Sequence, residues 1–560
     1  MVTPSFIVGA HHAMGRLSGP GFCTQLVTRS SITLRGSSCF KTGSSTRCRT
    51  PASRLAFHLD SGGDYILMSH RSSAAGGKLG NLAARGVFIT LGGQGLRIII
   101  QVLSVVVLAR LLSPQDYGLL AMVTAIIGVA ELFRDFGLSS AAVQAPTLSR
   151  KQRDNLFWIN SCLGLVLSVA IFLGAPLIAD LYHQSELAPM TQVLAWMFLV
   201  NGVATQYRAD LTRRLKFLRL AVADTVSPAA ALAVAVAFAL NGGGYWSLVA
   251  QQLTQFTVML ALVLVAARWL PGAPSVSTPM DGMLKFGWHL VSTQLIGYVS
   301  KNSDSFIIGL RFGPSTLGLY NRAFQLLMTP LNQVRAPSTT VALPVLSRLR
   351  DEQARYSRFV ERGQLALGYT LVTGLGLVAG AASPVTTVFL GDKWASLAPV
   401  LSLLAVAGAF QTLAYVGYWV YLSQGLTRYL FRYSVAEAAI TVGLLLLGSQ
   451  WGIVGVAGGY AAAQALNWPL SFWWLSRWAA IPLRRLYGGA ARITLMAAAI
   501  SAAAHLVSSA IEPPVLAVVA AGGAAVVVLL MGTAVPSVRK DLVSVIDVGK
   551  RALHREKVPV

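Results

Sequence analysis

Charged residues are scarce in this sequence. Asp, Glu, Lys and Arg make up 12% of the 560 residues, whereas soluble globular domains carry about 25%. Hydrophobic residues make up 54%, and the mean hydropathy is +0.60. These values exclude a soluble domain and indicate a polytopic membrane protein. Its apolar runs are about 18 residues or longer, which predicts helices and not the short alternating strands of a barrel.

Cysteine is scarce as well, and several motifs of enzyme chemistry are missing. The chain has four cysteines, three of them within the first 48 residues, and their spacing fits neither a disulfide framework nor a metal site. The sequence also lacks the phosphate-binding loop GxxxxGK[ST], a nucleophile elbow and paired metal-ligand motifs. We therefore expect no enzyme, no ATP hydrolysis by this chain and no bound cofactor, although a proton or sodium gradient could drive it.

The first 67 residues have a different composition from the rest. They are rich in Ser, Thr, Gly and Arg and have two acidic residues, Asp60 and Asp64. We expect 1–67 to be a disordered extension outside the fold. A transit peptide has such a composition, but we favour a mis-assigned start with translation from Met68, because 68–86 is an ordinary basic cytoplasmic lead-in.

Fourteen apolar runs are long enough to cross a membrane. They lie near 87–112, 119–142, 157–181, 190–207, 220–240, 246–267, 285–310, 319–346, 363–389, 398–424, 434–449, 452–475, 491–509 and 514–533. The predicted fold class is thus an all-α polytopic membrane protein with about 14 transmembrane helices.

The connecting loops alternate in charge. One set holds clusters of Lys and Arg, as at 208–219 and 348–362, whereas the other set holds Arg311 and Lys393 alone. Under the positive-inside rule the basic loops are cytoplasmic, and so are both termini. The formal charge of +24 then results mainly from the basic cytoplasmic loops and does not indicate nucleic-acid binding. The tail 534–560 is predicted to be a cytoplasmic amphipathic helix.

Two sequence motifs occur twice in the same order. SPQDYGLL at 113–120 matches GPSTLGLY at 313–320, and VQAPTLSR at 143–150 matches VALPVLSR at 341–348. Both pairs are about 200 residues apart, and six spans separate the copies, so the repeat is parallel. Two parallel six-helix lobes around a central cavity are typical of alternating-access transporters.

The repeat divides the chain into predicted domains. These are the N-lobe 87–267, a cytoplasmic linker 268–284, the C-lobe 285–475, and two extra helices with their connecting loop in 476–533, before the tail 534–560.

Polar side chains concentrate in spans 1, 2, 7 and 8. Charge near mid-bilayer costs at least about 2.5 kcal/mol, so such residues usually face a cavity or a partner. Those on span 1 and those on span 8 each share one helix face. The candidate cavity residues are Gln94, Arg97, Gln101, Arg134, Lys301, Asn321, Gln325, Asn332 and Arg335. The candidate ion-coupling residues are Glu131, Asp135 and Asp304.

Structural pairing is the alternative for several of these charges. Glu131 with Arg134, and Lys301 with Asp304, are spaced to neutralise each other on one helix. Arg97 and Arg335 have no acid within four residues, so for them the alternative is an interhelical ion pair. Unpaired guanidinium groups suit phosphate and pyrophosphate, and amide and hydroxyl side chains suit sugars. This balance favours an anionic substrate.

Five stretches carry a family resemblance. They are LARLLSPQDYGLLAM, ELFRDFGLSSAAVQ, LSRKQRDNLFWIN, GPSTLGLYNRAFQLLMTPLNQV and VALPVLSRL. Over about residues 80 to 490 the chain resembles the polysaccharide and lipid-linked oligosaccharide flippases of the multidrug/oligosaccharidyl-lipid/polysaccharide exporter superfamily. The resemblance is strongest to the lipopolysaccharide and colanic-acid type exporters of bacteria.

The resemblance implies a V-shaped, two-lobed protein of the bacterial cytoplasmic membrane. It would flip an undecaprenyl-pyrophosphate-linked oligosaccharide from the cytoplasmic to the outer leaflet for surface polysaccharide biosynthesis. Arg97, Arg134, Lys301 and Arg335 are the cationic candidates for the pyrophosphate. Membrane lipids and other polysaccharide-assembly proteins are further expected partners.

Three other functions remain open from the sequence. A drug or cation antiporter of the same superfamily would need carboxylates without nearby cations. A membrane polysaccharide polymerase or ligase would use the same lipid-linked substrate, but the external loops are short. A scaffold of a glycan-assembly complex would have little use for polar stripes inside the membrane.

Overall fold

The computed structural model describes residues 40–42, 45–47, 74–135, 148–275 and 281–553. The chain divides into two units, Met1–Val87 and Phe88–Val560. In the first unit, strands β1 (Phe40–Thr42) and β2 (Ser45–Arg47) pair antiparallel. Most of 1–67 lies outside the described residues, so its interpretation and the predicted domain boundaries stay predictions.

Six helices make up the first half of the transmembrane part. They are α1 (Ala74–Leu111), α2 (Pro114–Asp135), α3 (Arg150–Tyr182), α4 (Leu187–Arg213), α5 (Phe217–Leu240) and α6 (Trp246–Ala267).

The second half opens with α7 (Asp281–Arg348), which contains two helices joined at Gly313. Gly313 has φ 78°, a conformation that glycine adopts without steric cost. We call the helix before it α7a and the helix after it α7b. The next span, Gln353–Gly380, combines α8 (Gln353–Leu367), a π-helical turn (Gly368–Val372) and α9 (Thr373–Gly380), and the short helix α10 (Ala382–Leu390) follows it.

The remaining helices are α11 (Ala398–Ser423), α12 (Thr427–Gly448), α13 (Gly452–Ser476), α14 (Leu483–Ser509), α15 (Pro514–Gly532) and α16 (Pro536–Leu553). A 3-10 turn, Asp392–Leu397, precedes α11, and another, Ser449–Trp451, separates α12 from α13.

The predicted fold class is confirmed. Eleven segments of the described chain are long and apolar enough to span a membrane. One of them, Thr427–Ser476, contains both α12 and α13, and α7a and α7b occupy the predicted spans 285–310 and 319–346. Every predicted span therefore coincides with helix, although 136–142 of the second span lies outside the described residues.

The two copies of the repeated turn pack against each other. A Cβ added to Gly118 on α2 would overlap the carbonyl oxygen of Pro314, and a Cβ added to Gly318 on α7b would overlap that of Pro114. Such reciprocal contacts are what a two-fold relation between the halves produces. Only glycine permits this close approach of two helices. We call the end of the molecule that carries Pro114 and Pro314 the turn end.

The hydrophobic cores distinguish the turn end from the opposite end, which we call the basic end for its arginine clusters at 208–219 and 348–362. At the turn end one cluster of buried residues joins both halves, from Leu108 and Met122 to Ile308 and Leu401. Toward the basic end, the clusters formed by the described residues stay within one half, as around Tyr207 and around Tyr356. The halves are therefore packed together mainly at the turn end.

The predicted tail helix exists as α16 and is anchored to the second half. Arg492 on α14 forms two bonds to the Asp541 carboxylate, at 2.7 and 3.1 Å. The Tyr369 hydroxyl, in the π-helical turn, donates to the same carboxylate at 3.3 Å. Asp541 thus fixes α16 against α14 and the π-helical turn through charge-assisted hydrogen bonds.

We expect Gly118→Ala to destabilise the folded protein, because the added methyl group must push α2 away from Pro314. Overpacking of this kind costs about 1–3 kcal/mol. Thermal unfolding of the purified protein measures the effect. Gly174→Ala is the matched control, because no atom lies within 4 Å of the added Cβ. An unchanged melting temperature in Gly118→Ala would contradict the close crossing.

Candidate functional site

The polar faces of α1 and α7b meet near the basic end. The Gln94 side-chain amide donates to the Gln333 amide oxygen at 3.0 Å. Both residues lie about 26–28 Å along their helices from the turn end, at 1.5 Å per residue. Gln94 was predicted from the sequence to line the cavity, whereas Gln333 was missed. This hydrogen bond connects the two halves close to the basic end.

Arg97 lies on the same face of α1 as Gln94, one helical turn closer to the turn end. Its side chain is half-buried, and among the described residues it forms no hydrogen bond or ion pair. Gln101, a further turn along, is also half-buried and likewise makes no bond within the described part of the chain. Farther toward the turn end, Ser104 accepts a hydrogen bond from Gln251 on α6 at 2.8 Å. Arg97 is thus a cation with an available guanidinium group.

Glu131 and Arg134 pair on α2 as the sequence spacing allowed. Their side chains are 2.8 Å apart, and Arg134 also donates to the Thr205 hydroxyl on α4 at 2.6 Å. The second oxygen of Glu131 is buried and has no partner in the described structure. Arg134 is therefore held within the first half, and its charge is already compensated.

Asp304 lies inside the second half. Its side chain is buried and accepts a hydrogen bond from the Ser305 backbone amide at 2.7 Å. The hydroxyls of Tyr320 and Tyr460 are close enough to interact electrostatically with the Asp304 carboxylate. The Gln411 side chain donates a hydrogen bond to the Tyr460 hydroxyl at 2.7 Å. No ion pair to Asp304 forms among the described side chains. A buried carboxylate that lies near hydroxyl groups and has no described ion-pair partner is suited to take up a cation or a proton.

Arg335 is buried on α7b, with 4% of its surface exposed. Its guanidinium carbon lies 5.9 Å from the centre of the Tyr415 ring on α11. Its Nε and one terminal nitrogen have no hydrogen-bond partner in the described structure. Arg335 therefore lies beside an aromatic ring of the second half and forms no ion pair with an acid among the described residues.

A second buried arginine, Arg322, was missed in the sequence. Its guanidinium carbon lies 3.5 Å above the Tyr117 ring of the first half, and the Tyr117 ring contacts Trp394 edge-on at 5.6 Å. Trp394 in turn donates to the Ala109 carbonyl at 2.8 Å. These contacts join the two halves at the turn end. The repeat in the sequence did not predict this contact, and periodicity alone did not identify Arg322.

The remaining predicted residues are only partly described. Asn321 and Gln325 are half-buried on α7b, and Asn332 is exposed. The side chains of Asp135 and Lys301 lie outside the described residues, so the predicted Lys301–Asp304 pairing stays open. Among the described residues, no group of three or more His, Cys, Asp or Glu side chains is placed to hold a metal ion.

The family of the chain follows from a match over residues 107–399 to the polysaccharide biosynthesis protein family. The match covers more than half of the 560 residues. The chain belongs to this family.

Curated relatives match over most of their length. The chain is 25% identical over 413 residues to the lipopolysaccharide biosynthesis protein WzxC of Escherichia coli (strain K12), covering 72% of this chain and 81% of that protein. It is 26% identical over 352 residues to the teichuronic acid biosynthesis protein TuaB of Bacillus subtilis (strain 168), covering 62% and 72%. It is 24% identical over 348 residues to the succinoglycan biosynthesis transport protein ExoT of Rhizobium meliloti (strain 1021), covering 62% and 70%.

Solved structures share the fold. The lipid II flippase MurJ in an inward closed conformation superposes with a TM-score of 0.64 at 12% identity, covering 82% of this chain and 100% of that chain. An inward-facing multidrug resistance transporter of the MATE family, in the MOP superfamily, gives 0.55 at 13% identity, covering 70% and 96%. At these identities the likeness establishes the fold alone.

We expect Arg335→Met to keep or raise the melting temperature of the purified protein. Methionine fills a similar volume, and its burial does not require removing a charge from water. Thermal unfolding, compared with Arg335→Lys, which retains the charge, measures the effect. A large loss of stability in Arg335→Met would instead show that the guanidinium group holds the second half together.

Proposed function

We propose that this protein is a flippase that moves an undecaprenyl-pyrophosphate-linked oligosaccharide or polysaccharide precursor across the bacterial cytoplasmic membrane by alternating access. Membership in the polysaccharide biosynthesis protein family and the duplicated helical fold support this function. The observation that carries it is Arg97, a half-buried cation without a partner among the described residues, on the polar face of α1.

In this proposal the basic end faces the cytoplasm and the turn end faces outward. The distribution of Lys and Arg in the sequence supports that orientation through the positive-inside rule. One shared core at the turn end keeps the outer side closed. Farther from the turn end, the described side-chain hydrogen bonds between the halves are few: Tyr298 on α7a donates to the Thr124 and Ala125 carbonyls of α2, and Gln94 donates to Gln333. The substrate would therefore enter from the cytoplasmic side.

The cationic groups differ in their availability to a pyrophosphate. Arg134 is engaged by Glu131 and Thr205, and Arg335 is buried beside Tyr415. Arg97 has no partner among the described residues, so it can form the two parallel charge-assisted bonds that guanidinium groups make with phosphate. Gln94, Gln101, Gln325 and Asn332 offer neutral donors and acceptors to the sugars.

We expect Arg97→Gln to slow flipping by about tenfold or more, because a charge-assisted hydrogen bond is worth about 1.5–3 kcal/mol. The full chain would be reconstituted in proteoliposomes with a fluorescent pyrophosphate-linked oligosaccharide lipid. Accessibility of the glycan to an external glycosidase reports the flipping rate. Arg484→Gln, an exposed arginine on α14, is the matched control.

Two results would count against this proposal. Equal flipping by Arg97→Gln and the wild type would remove Arg97 from the substrate site. No protein-dependent flipping by the folded wild type under any ion gradient would contradict the transport function itself.

Asp304 is our proposed site for a coupling proton or sodium ion. It is buried and forms no ion pair with a described side chain, whereas Glu131 is committed to Arg134. We expect Asp304→Asn to abolish acceleration of flipping by an imposed proton or sodium gradient. Asp547→Asn, on the exposed face of α16, is the control. Unchanged gradient dependence in Asp304→Asn would place coupling elsewhere.

A further inference from the structure

A cavity of about 320 Å³ lies at the basic end, between the residue that follows α7b and the first turns of α8. Its lining includes Leu349, which follows α7b, and Arg355, Arg358, Phe359 and Arg362 in the first three turns of α8. The three arginines are spaced 3 and 4 residues apart, so they share one face of α8. The cavity is therefore an open, mainly apolar groove bordered by the side chains of three arginines.

The positive charge in this cavity is only partly compensated. Glu352 pairs with Arg355 at 2.8 Å, and Glu361 pairs with Arg485 on α14 at 3.6 Å. The Nε of Arg358 donates to the Ala354 carbonyl at 3.1 Å, which leaves its terminal nitrogens available. Arg362 forms no hydrogen bond or ion pair within the described residues. An anion bound between Arg358 and Arg362 would reduce their mutual repulsion.

The position of the cavity relative to the bilayer indicates the kind of anion it would bind. The span Gln353–Gly380 has 28 residues, or about 42 Å of helix, which matches a bilayer including both headgroup layers. Arg355 and Arg358 therefore lie in or near the headgroup layer. Leu349 and Phe359 offer apolar contact to the first methylene groups of a lipid, which a soluble anion does not have.

We propose that this cavity binds the phosphate-bearing headgroup of a lipid from the leaflet at the basic end. Arg358 and Arg362 bind the phosphate, and Leu349 and Phe359 contact the adjoining chain. The site requires only that the protein spans a membrane, so it does not depend on the proposed transport. An anionic phospholipid and a polyprenyl pyrophosphate share the required chemistry.

The test is lipid binding to the purified full chain in detergent, measured by native mass spectrometry without any ion gradient. The probes are phosphatidylglycerol, a polyprenyl pyrophosphate, diacylglycerol and inorganic phosphate. The variant is Arg358→Gln with Arg362→Gln. The matched control is Arg428→Gln with Arg432→Gln, which removes the same charge at the same spacing from exposed positions of α12.

We expect the Arg358/Arg362 variant to weaken the Kd for at least one of the two phosphate-bearing lipids by about tenfold or more, and the control to bind them like the wild type. Loss of both lipids would identify a general anionic-lipid site, and loss of the polyprenyl pyrophosphate alone would identify a substrate site. Diacylglycerol should bind equally to all three proteins.

Three outcomes would overturn the proposal. In the first, the variant and the control both bind the lipids like the wild type. In the second, both lose lipid binding to the same extent. In the third, inorganic phosphate binds as tightly as the lipids. Because no transport is measured, failure of the flipping assay would leave this result unaffected.

Discussion

The close crossing of α2 and α7b at Gly118 and Gly318 is the contact on which the arrangement of the two halves depends. Each glycine lies against the proline carbonyl of the other copy of the turn, so the two helices approach nearly backbone to backbone. Lipid provides little hydrophobic drive for helix association, and packing between small residues replaces it. The shared core and the Tyr117–Arg322 contact are assembled around this crossing.

The helices could be predicted from the sequence because a membrane imposes length, apolarity and loop charge on each span separately. These constraints are local, so long runs such as 246–267 were predicted with the same bounds as the helix in the structure. The duplicated turns also indicated where the halves are related. What the sequence did not show was that the two turns contact each other, because that depends on which helix faces which across the repeat.

The site was less predictable for the same reason. Periodicity assigns Asn321 and Arg335 to one face of α7b, but it does not say what packs against each turn of that face. In the structure Asn321 is half-buried, whereas Arg335 lies against Tyr415 within the second half. Gln333 and Arg322 were missed because each acts through one partner in the other half, Gln94 and Tyr117.

The contacts between the halves are stronger at the turn end than at the basic end, so the two ends do not separate equally easily. A side-chain hydrogen bond inside a membrane protein contributes about 0.6 kcal/mol on average, so the Gln94–Gln333 bond and the bonds from Tyr298 to the Thr124 and Ala125 carbonyls are weak constraints. At the turn end, an extended core, the glycine crossing and the buried Arg322 all have to separate together. Separation at the basic end is therefore the less costly first movement, and it would expose Arg97 before any part of the turn end opens.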